Sequence, residues 1–550
     1  MDIVKQRLTK SLLSLLFCLI AGPTAFAADW RTVETPHYRL VTQAGDREAT
    51  QWMRDFDQFI LSTTALLQID PKALPPLTVV IFDRDRDYTP YKVLRPNGKV
   101  ANVAGQFIRM PTWSVIGMPL VAEKDLTRIT LFHEATHWLA SVDQSRQPAW
   151  FSEGIAELFS TFELRGDHVS WAKPIAGHLA LLRQGTIPLR DFLTEPGAIF
   201  DRDGHTERFY AQAWAFTHFM MLADDSRRRP LMIQFLQNFR TLSGDAAVTA
   251  TFGDSLPQLE REFRQYIQQR RFGYVTQAVQ TAPPPAALQA APSTLVETAL
   301  GRLALGAGRF ELARQHAGNA STLDVRAPDG HEILAYVALD LEQWEQATAH
   351  AGEALARGSK DSDMYLMMGD SYVDGANAGK PGAELARVNL YENAINLSPR
   401  RRISYEKLAE AVLRLESPRE EDLRFLNTGL LAFPGDDWLR VAVAEVEHQL
   451  GRTAPATASL EQALLPQSTL DDSQRGYAIT LKRGWLLDRM NTELQVATTG
   501  HDPDAVLAVV HKYRVQVSDV PEAVAFLDDM EARMRQMKLR QPQGQSRTPN

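Results

Sequence analysis

The chain has 550 residues, of which 44% are hydrophobic, and a formal net charge of −8. A single hydrophobic core rarely serves more than about 250–300 residues, so at least two domains are expected. The acidic balance excludes the overall basic surface of a nucleic-acid-binding protein, and no nucleic-acid partner is expected.

The N-terminal segment, residues 1–27, has the pattern of a secretory signal peptide. Basic residues precede the apolar run Ser11–Ile20, and an Ala-Phe-Ala sequence ending at Ala27 marks a cleavage site. A membrane anchor is the alternative, but the run is shorter than the roughly 20 residues that span a bilayer. The only cysteine, Cys18, lies in this segment, so the mature chain is predicted to lack disulfides. We expect an exported protein, periplasmic or secreted, without stable membrane insertion after signal cleavage.

Residues 28–280 mix strand and helix signals. Alternating polar and apolar residues predict a strand in DWRTVETPHYRLVT, and the β-branched run PLTVVIF predicts another. From Asp125 to about Arg271 most of the periodicity is helical. Proline and alanine then break every period at residues 281–293, which we interpret as a linker. The prediction is an α+β domain at 28–280.

The stretch LFHEATHWLA, residues 131–140, contains the pattern H-E-x-x-H. On a helix His133 and His137 lie one turn apart and can direct ring nitrogens at one metal ion, with Glu134 beside it to take a proton from water. A catalytic zinc site needs a third protein ligand and leaves the fourth position to water. Glu153 and Glu157 are the candidates: one would bind the metal, and the other would hydrogen-bond a ligating imidazole.

The segment that contains His133 and His137 and the segment that contains Glu153 and Glu157 resemble the gluzincin metallopeptidases. The resemblance is closest to the peptidase-MA-like domains of exported bacterial proteins. The resemblance rests on the H-E-x-x-H pattern and on WFSEGIAE at residues 150–157. It implies a zincin-like fold, one Zn²⁺ per chain, metal ligation by His133 and His137, and Glu134 as general base. In the related M1-type aminopeptidases the Glu of a W-L-N-E-G-x-A segment is the third ligand, which implies Glu153.

The roles of Glu153 and Glu157 as metal ligand and as hydrogen-bond partner of a ligating histidine could also be exchanged. In thermolysin-like enzymes the acidic residue four positions after the ligand bonds a ligating histidine, which implies that role for Glu157. Spacing favours Glu157 as the ligand instead, because 19 residues separate it from His137 and only 15 separate Glu153 from His137. We favour Glu153, since loops change length more freely than motifs change register.

A metzincin-like third ligand is a further alternative. Asp143 lies six residues after His137. The turn that brings such a ligand round favours glycine, and the chain has Ala140 there, which fits a left-handed turn poorly. This scheme is therefore the weaker expectation.

Tyr210 is the candidate hydrogen-bond donor to the oxyanion of a tetrahedral intermediate. It lies in RFYAQAWAFTHFM, which resembles the Tyr-containing helix that follows the zinc site in these families. A core aromatic with a satisfied hydroxyl is the alternative. His205 and His218 are interpreted as a loop residue and a packed helix residue, because three ligands are already supplied.

The stretch VAGQFIRMPTW bears on substrate choice. M1-type aminopeptidases carry a Glu in the comparable region that binds the free amine of the substrate, whereas this chain has Gln106. Cleavage of internal peptide bonds is therefore expected. The same stretch is expected to form an edge strand or hairpin to which an extended peptide adds by β-pairing.

Residues 294–466 contain an internal repeat. GRFELARQHAGNA from Gly308 aligns with EQWEQATAHAGEA from Glu342 at an offset of 34. This period resembles that of tetratricopeptide (TPR) repeats, in which small residues such as Ala313 and Ala347 let paired helices approach. A generic alanine-rich helical bundle is the alternative. Residues 467–535 predict additional helices, and residues 536–550 predict a disordered tail.

The predicted fold class is an α+β zincin-like metallopeptidase domain followed by an all-α TPR-like solenoid. The predicted function is that of an exported zinc-dependent endopeptidase, whose TPR repeats dock a protein partner or substrate. The alternative is a TPR interaction scaffold with a catalytically inactive metallopeptidase-like domain. Glu134 favours the enzyme, because a structural zinc site needs no general base.

Overall fold

The computed structural model describes residues 30–95, 98–120, 124–142, 146–194, 205–374 and 379–540. The predicted signal peptide, Asp143 and residues 541–550 lie outside the described residues. The chain divides into two compact units, residues 1–359 and residues 360–550. Among the described helices, none combines the length and the apolar character that crossing a membrane requires.

Nine short strands lie in the described part of the first unit. They are β1 Arg31–Glu34, β2 Tyr38–Thr42, β3 Leu77–Phe82, β4 Gln106–Arg109, β5 Ser114–Pro119, β6 Glu163–Arg165, β7 His168–Trp171, β8 Val275–Ala278 and β9 Gln289–Ala290. The larger sheet has the order β4-β5-β3-β2-β1-β9, and the smaller sheet has the order β6-β7-β8. Strands β2, β3 and β5 are parallel, whereas β4 pairs with β5 in the antiparallel direction. The predicted hairpin around Gln106 is therefore present, and β4 stands at a sheet edge.

Fourteen α-helices accompany these strands within the described ranges. They are α1 Asp46–Leu67, α2 Asp85–Tyr88, α3 Lys124–Ala140, α4 Ala149–Ser160, α5 Ala176–Gln184, α6 Leu189–Thr194, α7 His205–Met221, α8 Arg229–Thr241, α9 Gly244–Thr251, α10 Leu256–Ile267, α11 Ser293–Gly306, α12 Phe310–Leu323, α13 Asp329–Asp340 and α14 Trp344–Ala356. Helices α1 and α3 share a core with the larger sheet, in which the Phe59 and Phe132 rings stack with centroids 4.7 Å apart. Helices α4 to α10 form a second core around Trp150 and Trp214.

The segment predicted to be a linker, residues 281–293, differs from the prediction. Gln289 and Ala290 within it form β9, which pairs with β1, and α11 then packs against the larger sheet. Leu303 of α11 fills the space above Gly117 of β5, where a Cβ atom would lie 2.5 Å from Leu303 Cδ1. The apolar sheet needs cover, and the first repeat helix provides it. The compact unit consequently extends to residue 359 and includes the first two helix pairs.

The second unit is helical throughout its described part. Its helices are α15 Ser362–Asp374, α16 Ala383–Leu397, α17 Arg402–Val412, α18 Glu420–Ala432, α19 Asp437–Gln449, α20 Thr453–Ala463, α21 Asp472–Thr499, α22 Pro503–Arg514 and α23 Pro521–Arg540. The predicted tail at 536–550 needs correction, because residues 536–540 continue α23. These five residues are Gln, Met, Lys, Leu and Arg, which are all good helix formers.

Small residues at the repeat positions are buried between helices, as the alignment predicts for Ala313 and Ala347 and as the recurrence of two alanines seven residues apart suggests for Ala456 and Ala463. Ala313 and Ala347 in the first unit are 0% and 2% exposed, and Ala456 and Ala463 in the second are both fully buried. Alanine leaves room for close helix approach at each of these positions.

Candidate metal centre

Helix α3 presents its histidines on the side opposite its core face. Phe132, Ala135 and Trp138 are at most 1% exposed and pack into the sheet core. Because residues i and i+4 of a helix share a face, this orientation leaves His133 and His137 together on the side toward α4. The Trp138 indole N–H donates to the Pro75 carbonyl at 2.9 Å and fixes the rotation of the helix.

Gly154 determines how closely helix α4 packs against helix α7. A Cβ atom there would collide with the Thr217 hydroxyl of α7 and would lie 2.5 Å from the Ala213 carbonyl oxygen. Glycine therefore permits the close packing of α4 on α7. Its neighbour Glu153 and the residue one turn later, Glu157, then lie on the side of α4 that contacts the histidines.

Three side-chain atoms from the two helices converge. His133 Nε2 lies 3.2 Å from His137 Nε2 and 3.2 Å from Glu153 Oε2, and His137 Nε2 lies 3.4 Å from Glu153 Oε2. Among the described residues, this is the one group of three such side chains whose ligand atoms all lie within 4.8 Å of one another. Three ligands at zinc-ligand distances of about 2.0–2.1 Å in tetrahedral geometry are themselves about 3.3 Å apart, so the group fits a zinc ion. Glu153 Oε2 is also buried without a satisfactory hydrogen bond within the described structure, which suits a metal ligand.

The outer ring nitrogens of both histidines have partners. His133 Nδ1 lies 3.4 Å from Glu157 Oε1, and His137 Nδ1 lies 3.2 Å from Ser152 Oγ. Such partners fix the tautomer and the orientation of a ligating imidazole. In this geometry Glu153 faces the inner nitrogens and Glu157 faces an outer one.

His178, on α5, was not among the residues predicted from the sequence. Its Nε2 lies 3.2 Å from Glu157 Oε2, the oxygen that does not face His133. Its place depends on a hairpin and a turn between α4 and α5, and no spacing rule in the sequence points to it.

The electrostatics of the cluster favour a cation among the carboxylates. Burial acts to lower the pKa of His133, but Glu153 and Glu157 raise it well above its ordinary value. Burial acts to raise the pKa of Glu153, but the adjacent imidazoles lower it to about 2. The pKa of Glu157 is likewise lowered to about 2 by His133 and His178 against the effect of burial.

Glu134 is held by the edge strand. Its Oε2 accepts a hydrogen bond of 2.8 Å from the Phe107 backbone N–H of β4. Burial raises the pKa of this carboxyl, while the two histidines act in the opposite direction. Tyr88 of α2 is fully buried near Glu134, and its hydroxyl makes no hydrogen bond among the described residues.

Tyr210 lies beside the cluster on α7, with its ring centroid 6.2 Å from that of His133. Burial, followed by the charges of Glu153, Glu134 and Glu157, raises the pKa of its phenol. The hydroxyl therefore stays protonated and is available as a donor.

The other predicted polar residues lie elsewhere. His218 is buried, with Nδ1 2.6 Å from the Tyr266 hydroxyl and Nε2 3.0 Å from the Gly273 carbonyl oxygen, as expected for a packed helix residue. His205 is the first residue of α7 and not a loop residue. The Gln106 side chain bonds the backbone of Tyr91 and Val93, so it braces the start of β4.

No protein-family model matches this chain, and no curated protein matches it. Solved structures do match. YrrB, described as a TPR protein with an unusual peptide-binding site, is 16% identical over 34% of this chain and 92% of its own, with a TM-score of 0.28. TTC0263, a thermophilic TPR protein of Thermus thermophilus, is 20% identical over 34% of this chain and 97% of its own, with a TM-score of 0.21. PilF of Pseudomonas aeruginosa is 17% identical over 43% of this chain and 97% of its own, with a TM-score of 0.24. At these TM-scores the likenesses carry no inference about the His-Glu cluster.

Proposed function

We propose that the protein is a zinc-dependent metallopeptidase of the gluzincin type, with His133, His137 and Glu153 as ligands of one Zn²⁺ per chain. The observation that carries the proposal is the convergence of the two Nε2 atoms and Glu153 Oε2 at separations of 3.2–3.4 Å. Glu157 orients His133 by facing its outer ring nitrogen, Nδ1. His133, His137 and Glu153 would hold the zinc ion, which when bound would supply a Lewis acid for a substrate carbonyl and for a water molecule.

Two residues of the chain act on protons and charge in this proposal. Glu134, oriented by the Phe107 N–H, accepts a proton from the attacking water and delivers it to the leaving amine. Tyr210, whose phenol stays protonated, donates a hydrogen bond to the oxyanion that develops on the substrate. Both lie on elements anchored in the two cores of the first unit.

The substrate proposed is an extended peptide segment within a peptide or protein. Strand β4 is an edge strand and contacts α3, so its backbone groups other than the Phe107 N–H, which already bonds Glu134, can pair with an extended peptide. Gln106, which stands where an amine-binding acid would be needed, is a neutral amide engaged with the backbone of residues 91 and 93. The proposed activity is that of an endopeptidase in the periplasm or outside the cell. The helix pairs would dock a protein partner or the substrate.

A second candidate is an interaction scaffold whose metallopeptidase-like domain is inactive. It is favoured by the share of the chain given to helix pairs, since α11 to α20 extend from Ser293 to Ala463. Stacked helix pairs build extended binding surfaces in repeat proteins. On this hypothesis the His-Glu cluster stabilises the first unit and does no chemistry.

The experiment that tests the proposal is elemental analysis of the purified chain from residue 28 to residue 550, beside the double variant His133→Ala/His137→Ala. About one zinc per chain, absent from the double variant, is expected for a site with three protein ligands. A peptide-library cleavage assay on the same two proteins then separates enzyme from scaffold. Absence of zinc from the wild-type chain after reconstitution would reject the metal site.

A further inference from the structure

His178 extends the hydrogen-bonded system of the candidate metal centre by one residue. Glu157 Oε1 faces His133 Nδ1, and Glu157 Oε2 faces His178 Nε2, so the carboxylate bridges two imidazoles. All three side chains are at least three-quarters buried, with exposed fractions of 14% for His133 and Glu157 and 22% for His178. A carboxylate shielded to this extent depends on its partners for orientation, because little water is present to compete.

The fold holds His178 in this position through several contacts. After β7 the chain turns at Ala172, whose φ of 58° is left-handed and whose backbone N–H donates to the Leu158 carbonyl at 3.0 Å. The Lys173 N–H donates to the Thr161 hydroxyl at 2.9 Å. Both bonds return the chain to the end of α4, so α5 begins close to Glu157.

Helix α5 is also fixed in rotation. Leu179 and Leu182 are 6% and 1% exposed and belong to the helical core, which turns the neighbouring His178 toward α4. On the other side the His178 ring lies near the fully buried Trp214 of α7, with ring centroids 6.2 Å apart. Within the described parts of the chain, the imidazole therefore has Glu157 as its hydrogen-bond partner and the Trp214 ring near it on the other side.

We infer that His178 is a positioning residue that acts on the metal ligand His133 through Glu157. Its Nε2–H donates to Glu157 Oε2 and holds the carboxylate so that the second oxygen accepts from His133 Nδ1–H. A partner of this kind increases the basicity of a ligating imidazole and preserves its orientation. His178 is thus expected to raise zinc affinity without touching metal or substrate. The inference rests on the proposed function.

The test measures zinc affinity by competition with a chromophoric chelator for the full chain from residue 28. His178→Phe keeps an aromatic ring but removes the donor, and we expect it to lower the affinity about 10-fold, the lower end of the range for such outer partners. His178→Gln keeps an N–H near the Nε2 position and is expected to stay within about 2-fold of wild type. His168→Ala, which removes an exposed histidine bonded to Asp167, is the matched control and should change nothing.

A double-mutant cycle separates action through Glu157 from a general packing effect. In a Glu157→Gln background, His178→Phe should cause no further loss of zinc affinity, because the oriented carboxylate is already absent. Equal losses in both backgrounds, or equal losses for His178→Phe and His178→Gln, would overturn the inference. If His178→Phe fails to fold, His178→Leu replaces it in the same cycle.

The inference and the proposed function fail in different ways. A wild-type chain that binds no zinc rejects the proposed function. A wild-type chain that binds zinc with the same affinity as His178→Phe rejects only the role of His178.

Discussion

Gly306, the last residue of α11, lies directly against Ile108 of the edge strand β4, where a Cβ atom would come within 2.9 Å of Ile108 Cδ1 and closer still to its Cγ2. The residue before Ile108 donates its backbone N–H to Glu134. The first repeat helix therefore supports the same strand that orients the candidate general base.

Gly306→Ala is expected to destabilise the first unit by about 1–3 kcal/mol, because the added methyl overpacks a closed contact. The measurement is chemical denaturation of the full chain. Gly318→Ala on α12 is the control, because a Cβ atom there meets nothing within 4 Å. Its expected effect is neutral or stabilising, since alanine is the better helix former. Equal stability of the two variants would show that α11 does not brace β4.

Gly154→Ala should be the more damaging glycine substitution for the candidate site. The new methyl would meet the backbone carbonyl of Ala213, which cannot rotate away, so α4 must move from α7. We expect a loss of about 2–3 kcal/mol of unfolding free energy and weaker zinc binding, because Glu153 and Glu157 move with the helix. Gly177→Ala on α5, where a Cβ atom has open space, is the control for both measurements.

The inner part of the candidate site could be predicted from the sequence because a helix fixes its own geometry. The i, i+4 spacing of His133 and His137 is sufficient to place both rings on one face. The choice between Glu153 and Glu157 could not be made from spacing, since it depends on how the loop after α3 delivers α4. The structure places Glu153 at the inner nitrogens because Gly154 sets the depth of α4 against α7.

Parts of the fold that depend on tertiary contacts could not be predicted from the sequence. Residues 281–293 have the composition of a linker, and a strand of two residues such as β9 leaves no periodicity to detect. Similarly, His178 is a single histidine on a short helix, and only the turn at Ala172 brings it to Glu157. The first two helix pairs, in contrast, were predictable, because buried alanines such as Ala313 and Ala347 recur 34 residues apart.

Glu134→Gln tests the proposed chemistry without removing a ligand. The amide is close in shape to the carboxylate and its oxygen can still accept from the Phe107 N–H, but it cannot take up a proton at neutral pH. Zinc content is expected to equal that of wild type, and peptide hydrolysis is expected to fall about 10²–10⁴-fold. Unchanged hydrolysis would remove Glu134 from the mechanism.

Glu153→Gln and Glu157→Gln distinguish ligand from outer partner. Loss of the outer partner lowers zinc affinity about 10–100-fold, and loss of a direct ligand lowers it further. Because Glu153 Oε2 lies 3.2 Å from His133 Nε2 and 3.4 Å from His137 Nε2, the larger loss is expected for Glu153→Gln. Chelator competition measures both affinities. A larger loss for Glu157→Gln would reverse the two roles.

Glu392 in the second unit makes folding stability depend on pH. Burial raises the pKa of this carboxyl to about 7, with Asp422 and Glu421 adding to the effect and Arg419, 3.1 Å away, opposing it. Between pH 4.5, which equals the ordinary pKa of the group, and about pH 7, Glu392 binds its proton more tightly in the folded chain than in the unfolded chain. The stabilising contribution of protonated Glu392 to the free energy of unfolding is therefore fully present below about pH 4.5. It is lost as the pH rises to about 7.

Glu392→Gln should remove that loss, because the amide stays neutral at every pH. At a pH near 4 the variant and wild type are expected to have similar stability, since Glu392 is protonated in both folded and unfolded wild type. At a pH near 8 the variant should be the more stable of the two. Chemical denaturation at both pH values measures the difference, with the exposed Glu410→Gln as a control. A variant less stable than wild type at the higher pH would mean that the pairing of Glu392 with Arg419 outweighs the cost of burying the charge.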